Sequence, residues 1–376
     1  MSSRVLITGG AGFIGSSIAL ALVKRNYEVR VLDSLSPQIH GVDGDSPTRR
    51  AVDSVAELIH ADVRNKDALD AALTGVNAVI HLAAETGTGQ SMYEVSRYTD
   101  VNLMGTSGLL ELLSNNSRLE RIIVASSRAI YGEGKYACGK DGAVYPHQRH
   151  VADMQTGFFD PRCPRCNGSL HLVPTDEDSQ LHPTSIYGIT KQAQEQLWLL
   201  CGAAFGIPAI ALRYQNVYGP GQSLTNPYTG ILSIFSTRLR SDGDINIFED
   251  GRESRDFVYI DDVVAATIAA LEAPSTVTGA LNIGSGQPID VLTIATMLKE
   301  QLGVGGNINV TGNYRNGDIR HNFADIQRAH DLLSWNPSVK FEEGLSRFVS
   351  WVKLQQVGVD GYEHALDELK SRGMLK

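Results

Sequence analysis

Thr8-Gly9-Gly10-Ala11-Gly12-Phe13-Ile14-Gly15 follows a short apolar run that begins at Val5, and it opens a segment, Phe13 to Lys24, with apolar residues at helical spacing. Glycines between a strand and a helix serve three ends: Gly9 permits the tight turn, Gly12 lets backbone approach a pyrophosphate, and Gly15 allows the helix to pack closely on the strand. Phe13 and Ile14 lie in the first helical turn, whose N–H groups lack intrahelical partners and favour an anion. The stretch predicts a dinucleotide-binding βαβ unit. Asp33, at the end of the next strand, stands where a carboxylate accepts hydrogen bonds from the adenosine ribose hydroxyls. Neither Ser34 nor Leu35 is basic, so nothing beside Asp33 suits a 2′-phosphate, and the reading is NAD rather than NADP.

Working outward, strand-like runs recur at Glu28 to Leu32, Glu57 to His60, Ala78 to Leu82 and Arg121 to Ala125, separated by helical patterns at Lys66 to Leu73 and Tyr98 to Leu113. This alternation predicts an α/β fold, a Rossmann-like doubly wound parallel sheet. Asp62 and Val63 would border the adenine, and Leu82, Ala83 and Ala84 would pass under the cofactor. From Glu133 to Gln180 the pattern gives way to Gly, Pro, His and Cys, which reads as an insertion or extended loop. A helix from about Ser185 to Ala204 and a strand from Ala209 to Arg213 follow. The expected organisation is residues 1–219 as the NAD-binding part, with the insertion at about 133–180, and residues 220–376 as a smaller α/β substrate-binding part exchanging elements with it.

Of the 376 residues, 42% are hydrophobic, and 33 Lys+Arg against 42 Asp+Glu give a formal charge of −9. That balance argues against nucleic acid and anionic membrane as partners. No signal peptide or run of about 20 apolar residues is visible, so the expectation is a soluble cytoplasmic protein.

Tyr187 and Lys191 stand four apart on a predicted helix, which places phenol and ammonium on one face. A nearby ammonium and a positive nicotinamide both favour phenolate, so Tyr187 can take a proton from a substrate hydroxyl while hydride leaves the same carbon. Ser126-Ser127 closes the fifth strand, where a hydroxyl could polarise the reacting C–O bond.

These stretches, with Arg213 to Pro220, Arg255 to Val263, Asn282 to Gly286 and Gly317 to Arg320, resemble in order the extended short-chain dehydrogenase/reductases that act on nucleotide sugars. The resemblance implies Ser127 as the catalytic hydroxyl, Tyr187 as base, Lys191 as its partner and Asn102 as an active-site residue beside the cofactor. It also implies that Asn216, Arg255, Arg315 and Asp318 hold the nucleotide diphosphate and base, and that Thr86, in Glu85 to Ser91, faces the sugar. Family members begin by oxidising C4 of the sugar. Dehydratases and decarboxylases of the family carry acids directly after the catalytic hydroxyl, whereas this chain has Arg128-Ala129. That leaves 4-epimerisation, with a dehydratase, a decarboxylase or a catalytically silent NAD-sensing protein as the competing readings. The 85–91 loop and the Cys-containing insertion look most like a bacterial subgroup that includes dTDP-L-rhamnose 4-epimerases, although no residue excludes a sugar linked to UDP, GDP or CDP. Relatives also often pair through the helices corresponding to 98–113 and 185–204, so a homodimer is expected.

Within the insertion, Cys163-Pro164-Arg165-Cys166 reads as one knuckle of a structural zinc site. Cys138 is a third ligand candidate, and either a histidine of the insertion or Asp141 a fourth. Reduced cysteines without metal are the alternative, and a disulfide is disfavoured in the cytoplasm. Cys201 reads as a buried core thiol.

Overall fold

The computed structural model describes residues 3–116, 118–228, 230–315, 317–356 and 361–375. Seven parallel strands, β1 (Arg4–Thr8), β2 (Glu28–Asp33), β3 (Glu57–His60), β4 (Ala78–His81), β5 (Arg121–Ser127), β6 (Ala209–Tyr214) and β7 (Gly279–Ile283), lie in the order β3-β2-β1-β4-β5-β6-β7. The order reverses between β1 and β4, and in open α/β sheets a ligand crevice lies outside the strand C-termini at such a point. The expected Rossmann-like doubly wound sheet is therefore present. Its last strand comes from beyond residue 220.

Alternation along the strands builds two cores. Val5 and Ile7 of β1 pack with Val31, Ile80 and Ile123 under α1 (Phe13–Lys24), whereas Leu6, Val79, Ile122 and Val124 pack on the opposite face with Leu69, Leu109, Leu113 and Trp198. Because both faces are covered, the strands read as continuous apolar runs.

The long helix α2 (Ile186–Phe205) crosses this second face. Ser185 caps it, its Oγ accepting from Gly188 N at 3.1 Å, and Gly206 ends it in the left-handed region. A Cβ on Gly188 would lie 2.7 Å from Ala129 O, so this glycine is what lets α2 approach the turn after β5. Beside α2 runs a helical stretch, Val95–Leu113, whose middle turn Asp100–Gly105 is π-helical. Such a turn often marks a functional region.

The C-terminal part adds a small mixed sheet in which Ser254–Tyr259 pairs with Asn216–Tyr218, Pro288–Asp290 and His321–Asn322. Helices Ile231–Arg240, Val291–Leu302 and Phe341–Leu354 accompany it. The insertion is more than a loop: Tyr136–Cys138 pairs antiparallel with both Gly142–Val144 and His171–Leu172. Among the described residues no helix is long and apolar enough to cross a membrane.

Candidate active site

A cavity of about 790 Å³ lies at the C-terminal ends of the strands, between the main sheet and the C-terminal part. Its lining includes every nucleotide- and sugar-directed residue expected from the sequence except Asn102.

At one end the β1–α1 turn is shaped by close contacts. Gly9 has φ +69°, and a Cβ there would lie 2.8 Å from Ala83 N; a Cβ on Gly15 would lie 2.4 Å from Gly9 O. Gly12 is different, since its Cβ would meet only Gly9 O at 3.4 Å, and no side chain caps α1. The start of α1 is thus left open to an anion. Asp33 Oδ2 accepts from Ala11 N at 3.0 Å and Oδ1 from Leu35 N at 2.9 Å, which fixes the carboxylate at the rim. Arg64, also in the lining, is held by Asp62 and Asp100 and is not offered to a 2′-phosphate. Its hydrogen bond keeps the Asp62 carboxyl below the usual range. This donor set fits NAD: helix N–H groups for the pyrophosphate and a fixed acid for the ribose.

In the middle, Ser127 sits at the end of β5, its Oγ accepting from Ala129 N at 3.1 Å, and it lies close enough to the Tyr187 phenol to influence it. Burial raises the phenol pKa, and the Ser127 hydroxyl and the Arg128 charge pull against that. Lys191 does not bond the phenol; its Nζ donates to Gln194 Oε1. Burial lowers the ammonium to about 7, with Glu195 opposing. Gln194 in turn reaches Thr106 Oγ1 at 2.6 Å and His81 Nε2 at 3.0 Å. His81, stacked on Trp198 at 5.2 Å, is driven to about 3 by burial and by Lys191, so it is neutral. Asn102 is fully buried outside the lining. Its Oδ1 accepts from Glu85 N at 2.8 Å and its Nδ2 donates to Thr190 Oγ1 at 3.0 Å, tying the 82–88 loop to α2. Tyr98 OH holds the same loop by donating to Thr86 O at 2.6 Å.

At the far end Arg128 Nε donates to Asn216 Oδ1 at 3.1 Å, while its Nη1 has no hydrogen-bond partner among the described residues. Burial and the nearby Arg255 lower this guanidinium to about 9. Arg255 Nη2 lies 3.4 Å from Asp318 Oδ1, and Arg315 Nε lies 3.8 Å from Asp318 Oδ2 with its guanidinium over the Phe248 ring. Burial raises the Asp318 carboxyl, but Arg315, Arg255 and Arg149 outweigh it and leave it below the usual range. Arg128, Arg255 and Arg315 outnumber the lining carboxylates Glu253 and Asp318 at this end, a balance that suits a phosphate-bearing ligand.

Sequence reasoning did not single out Gln194 or Gln215. Gln194 stands three residues after Lys191 on one face of α2, a spacing that was legible; Gln215, buried in the lining with both amide atoms unpartnered, carried no signal. Cys138, Cys163 and Cys166 lie together in the insertion, outside this cavity, and Cys201 is half-buried on α2.

A parallel sheet with a glycine-lined cofactor crevice and a Ser/Tyr/Lys constellation facing an arginine-rich pocket defines a dinucleotide-dependent enzyme of phosphorylated substrates. The chain belongs to the NAD dependent epimerase/dehydratase family, whose profile matches residues 5–151 and 166–284. The unmatched residues between these segments fall inside the insertion. The chain is 39% identical to dTDP-L-rhamnose 4-epimerase of Burkholderia thailandensis over 353 residues, 93% of this chain and 94% of that protein. It is 31% identical to a putative UDP-glucose 4-epimerase of Methanocaldococcus jannaschii, over 93% and 98% of the two chains. Among solved structures, UDP-glucuronic acid 4-epimerase from Bacillus cereus, in complex with UDP-glucuronic acid and NAD, is similar with a TM-score of 0.75 at 28% identity, over 93% of this chain and 99% of that one.

Proposed function

We propose that the protein is an NAD-dependent nucleotide-sugar 4-epimerase, with dTDP-L-rhamnose or a related NDP-hexose as substrate. The observation that carries the reading is the convergence of Ser127, Tyr187 and Lys191 on one cavity wall, with Arg128 rather than a carboxylate as the next lining residue. NAD, when bound, supplies the hydride acceptor and later the donor at C4. Residues 1–219 hold it, through the open start of α1, Asp33, Asp62, Val63 and the 82–84 backbone. Residues 220–376 supply Arg255, Arg315 and Asp318 to the diphosphate and base, with Asn216 beside them.

Tyr187 takes the C4 hydroxyl proton, and Ser127 steadies the same oxygen. Lys191, one turn along α2 from Tyr187, places an amine near the phenolate, and burial lowers its pKa to about 7. Elimination across C5 and C6, or assisted loss of a carboxyl group, needs an acid or base beside the hydroxyl, and a guanidinium serves neither. The 4-keto sugar therefore turns over in the pocket and receives hydride on its opposite face. Resolving C4 stereochemistry by NMR after incubation with a panel of nucleotide sugars tests this; a stable 4-keto-6-deoxy product formed from a hexose with a C6 hydroxyl would support a dehydratase instead.

We further propose a homodimer, supported by the apolar side chains exposed on the two adjacent helical stretches: Val95, Met104, Ile189 and Leu200, the last 70% exposed. The unbonded cysteines, with Cys138 and Cys166 sulfurs 3.5 Å apart, support a reducing cytoplasmic setting and a structural zinc ion among them.

A further inference from the structure

We propose that Cys138, Asp141, Cys163 and Cys166 form a closed structural zinc site with Asp141 as the fourth ligand. The four ligand atoms lie within 4.8 Å of one another. Zn–S bonds of about 2.3 Å and a Zn–O bond of about 2.0 Å in a tetrahedron require edges of roughly 3.8 Å between sulfurs and roughly 3.5 Å between sulfur and oxygen. Three of the six edges are 3.5 Å for Cys138 Sγ to Cys166 Sγ, 3.5 Å for Cys138 Sγ to Asp141 Oδ2 and 3.2 Å for Cys163 Sγ to Asp141 Oδ2, and the other three are no longer than 4.8 Å. A bonded disulfide would bring two sulfurs to about 2.05 Å.

The backbone is shaped for the same end. Cys138 and Asp141 flank the turn between strands Tyr136–Cys138 and Gly142–Val144. The Cys163–Cys166 turn closes with Asn167 N donating to Cys163 O and Cys163 N to Gly168 O, both 2.9 Å, and Asn167 takes φ 58°. Arg165 Nη1 donates to Asp141 O at 3.2 Å, joining the two turns. Among the described residues the apolar cluster here consists of buried Tyr136, Val144, Cys138 and Cys163, with Cys166, Leu170 and Leu172 partly buried against them. So small a core needs a staple. Three thiolates with one carboxylate select zinc over hard cations, and a full set of four protein ligands, none of them lining the large cavity, fits a structural role.

The site also bears on the cavity. The hairpin that carries Cys138 and Asp141 is flanked by Glu133 and Arg149, 3.3 Å apart, and Arg149 donates to Asp318 O at 3.0 Å. The zinc thus braces the segment that carries Asp318.

Full-length protein purified without chelator is expected to contain about one zinc per chain by mass spectrometry, falling at least fivefold in Cys163→Ser and in Asp141→Ala. Cobalt(II) added to chelator-treated wild-type protein should give thiolate charge-transfer bands and the intense visible bands of a tetrahedral site, and zinc should protect Arg162 and Arg165 from trypsin. Failure of the wild-type chain to take up zinc or cobalt stoichiometrically overturns the site. Retention of zinc and an unaltered cobalt spectrum in Asp141→Ala overturns the fourth ligand. These readouts do not depend on the epimerase reading. One further effect does rest on it: removing zinc should raise the KM for nucleotide sugar by roughly tenfold with kcat nearly held. An unchanged KM would overturn the bracing of Asp318.

Discussion

Tyr187 sits where burial holds its phenol above the ordinary value, with only Ser127 and Arg128 pulling it down. The proposed base is therefore protonated near neutrality until a ligand changes its surroundings. A positive nicotinamide would supply that change, because a nearby cation favours the phenolate. Difference spectroscopy of wild type against Tyr187→Phe should show the phenolate appearing at lower pH with NAD+ than without; an NAD+-independent titration would contradict this. Tyr187→Phe itself should lose at least about a hundredfold in kcat, in line with the contribution of a positioned base, and keep its affinity for NAD. The Tyr187 and Lys191 expectation came from four-residue spacing on a helix, and a hydroxyl was expected at the Ser126-Ser127 strand end, but the choice of Ser127 came from the family resemblance. The direction of Lys191 toward Gln194 was not legible, because it depends on His81 and Thr106 arriving from other elements.

Among the elements, α2 and β4 matter most to the site. Gly188 lets α2 approach Ala129, so Gly188→Ala should displace Tyr187 from Ser127 and lower kcat by roughly a hundredfold with NAD binding retained. Unchanged kcat would show that this contact does not position the phenol. On β4, His81 has a folded pKa depressed to about 3 from 6.5, so its contribution to stability is complete above pH 6.5 and is lost as pH falls toward 3. Linkage gives a loss of about 2 kcal/mol between pH 7 and pH 5. Urea unfolding at those two pH values should show that extra loss in wild type and not in His81→Gln, and equal losses would contradict it. The seven strands could be read almost to the residue apart from β7, since buried parallel strands are apolar runs. The insertion hid its sheet because strands of two or three residues have no period to read, and the π-helical turn at Asp100–Gly105 hid inside a run that keeps its apolar spacing.

For the whole molecule, the two halves meet through the cavity and through buried ion pairs such as Arg149 with Glu249 at 2.7 Å. The −9 charge leaves the arginine-rich end as a local exception on an acidic chain. The exposed apolar side chains Val95, Met104, Ile189 and Leu200 on the two adjacent helical stretches support the proposed self-association. Leu200→Glu should shift the protein from dimer to monomer by light scattering on size exclusion, whereas a wild type that is already monomeric would contradict the proposed interface. Motif order led to the expectation of two parts that exchange elements, but it did not show which element returns; β7 joins the main sheet beside β6, which lies far away in sequence.

The central claim is a reaction that moves hydride from C4 and back without opening C5 or C6. Incubation with dTDP-L-rhamnose and other nucleotide hexoses in D2O, followed by NMR of the sugar, tests it directly. The account predicts a C4 epimer with no deuterium at any carbon. Deuterium at C5 or C6, or a 4-keto-6-deoxy product from a hexose that carries a C6 hydroxyl, would contradict it.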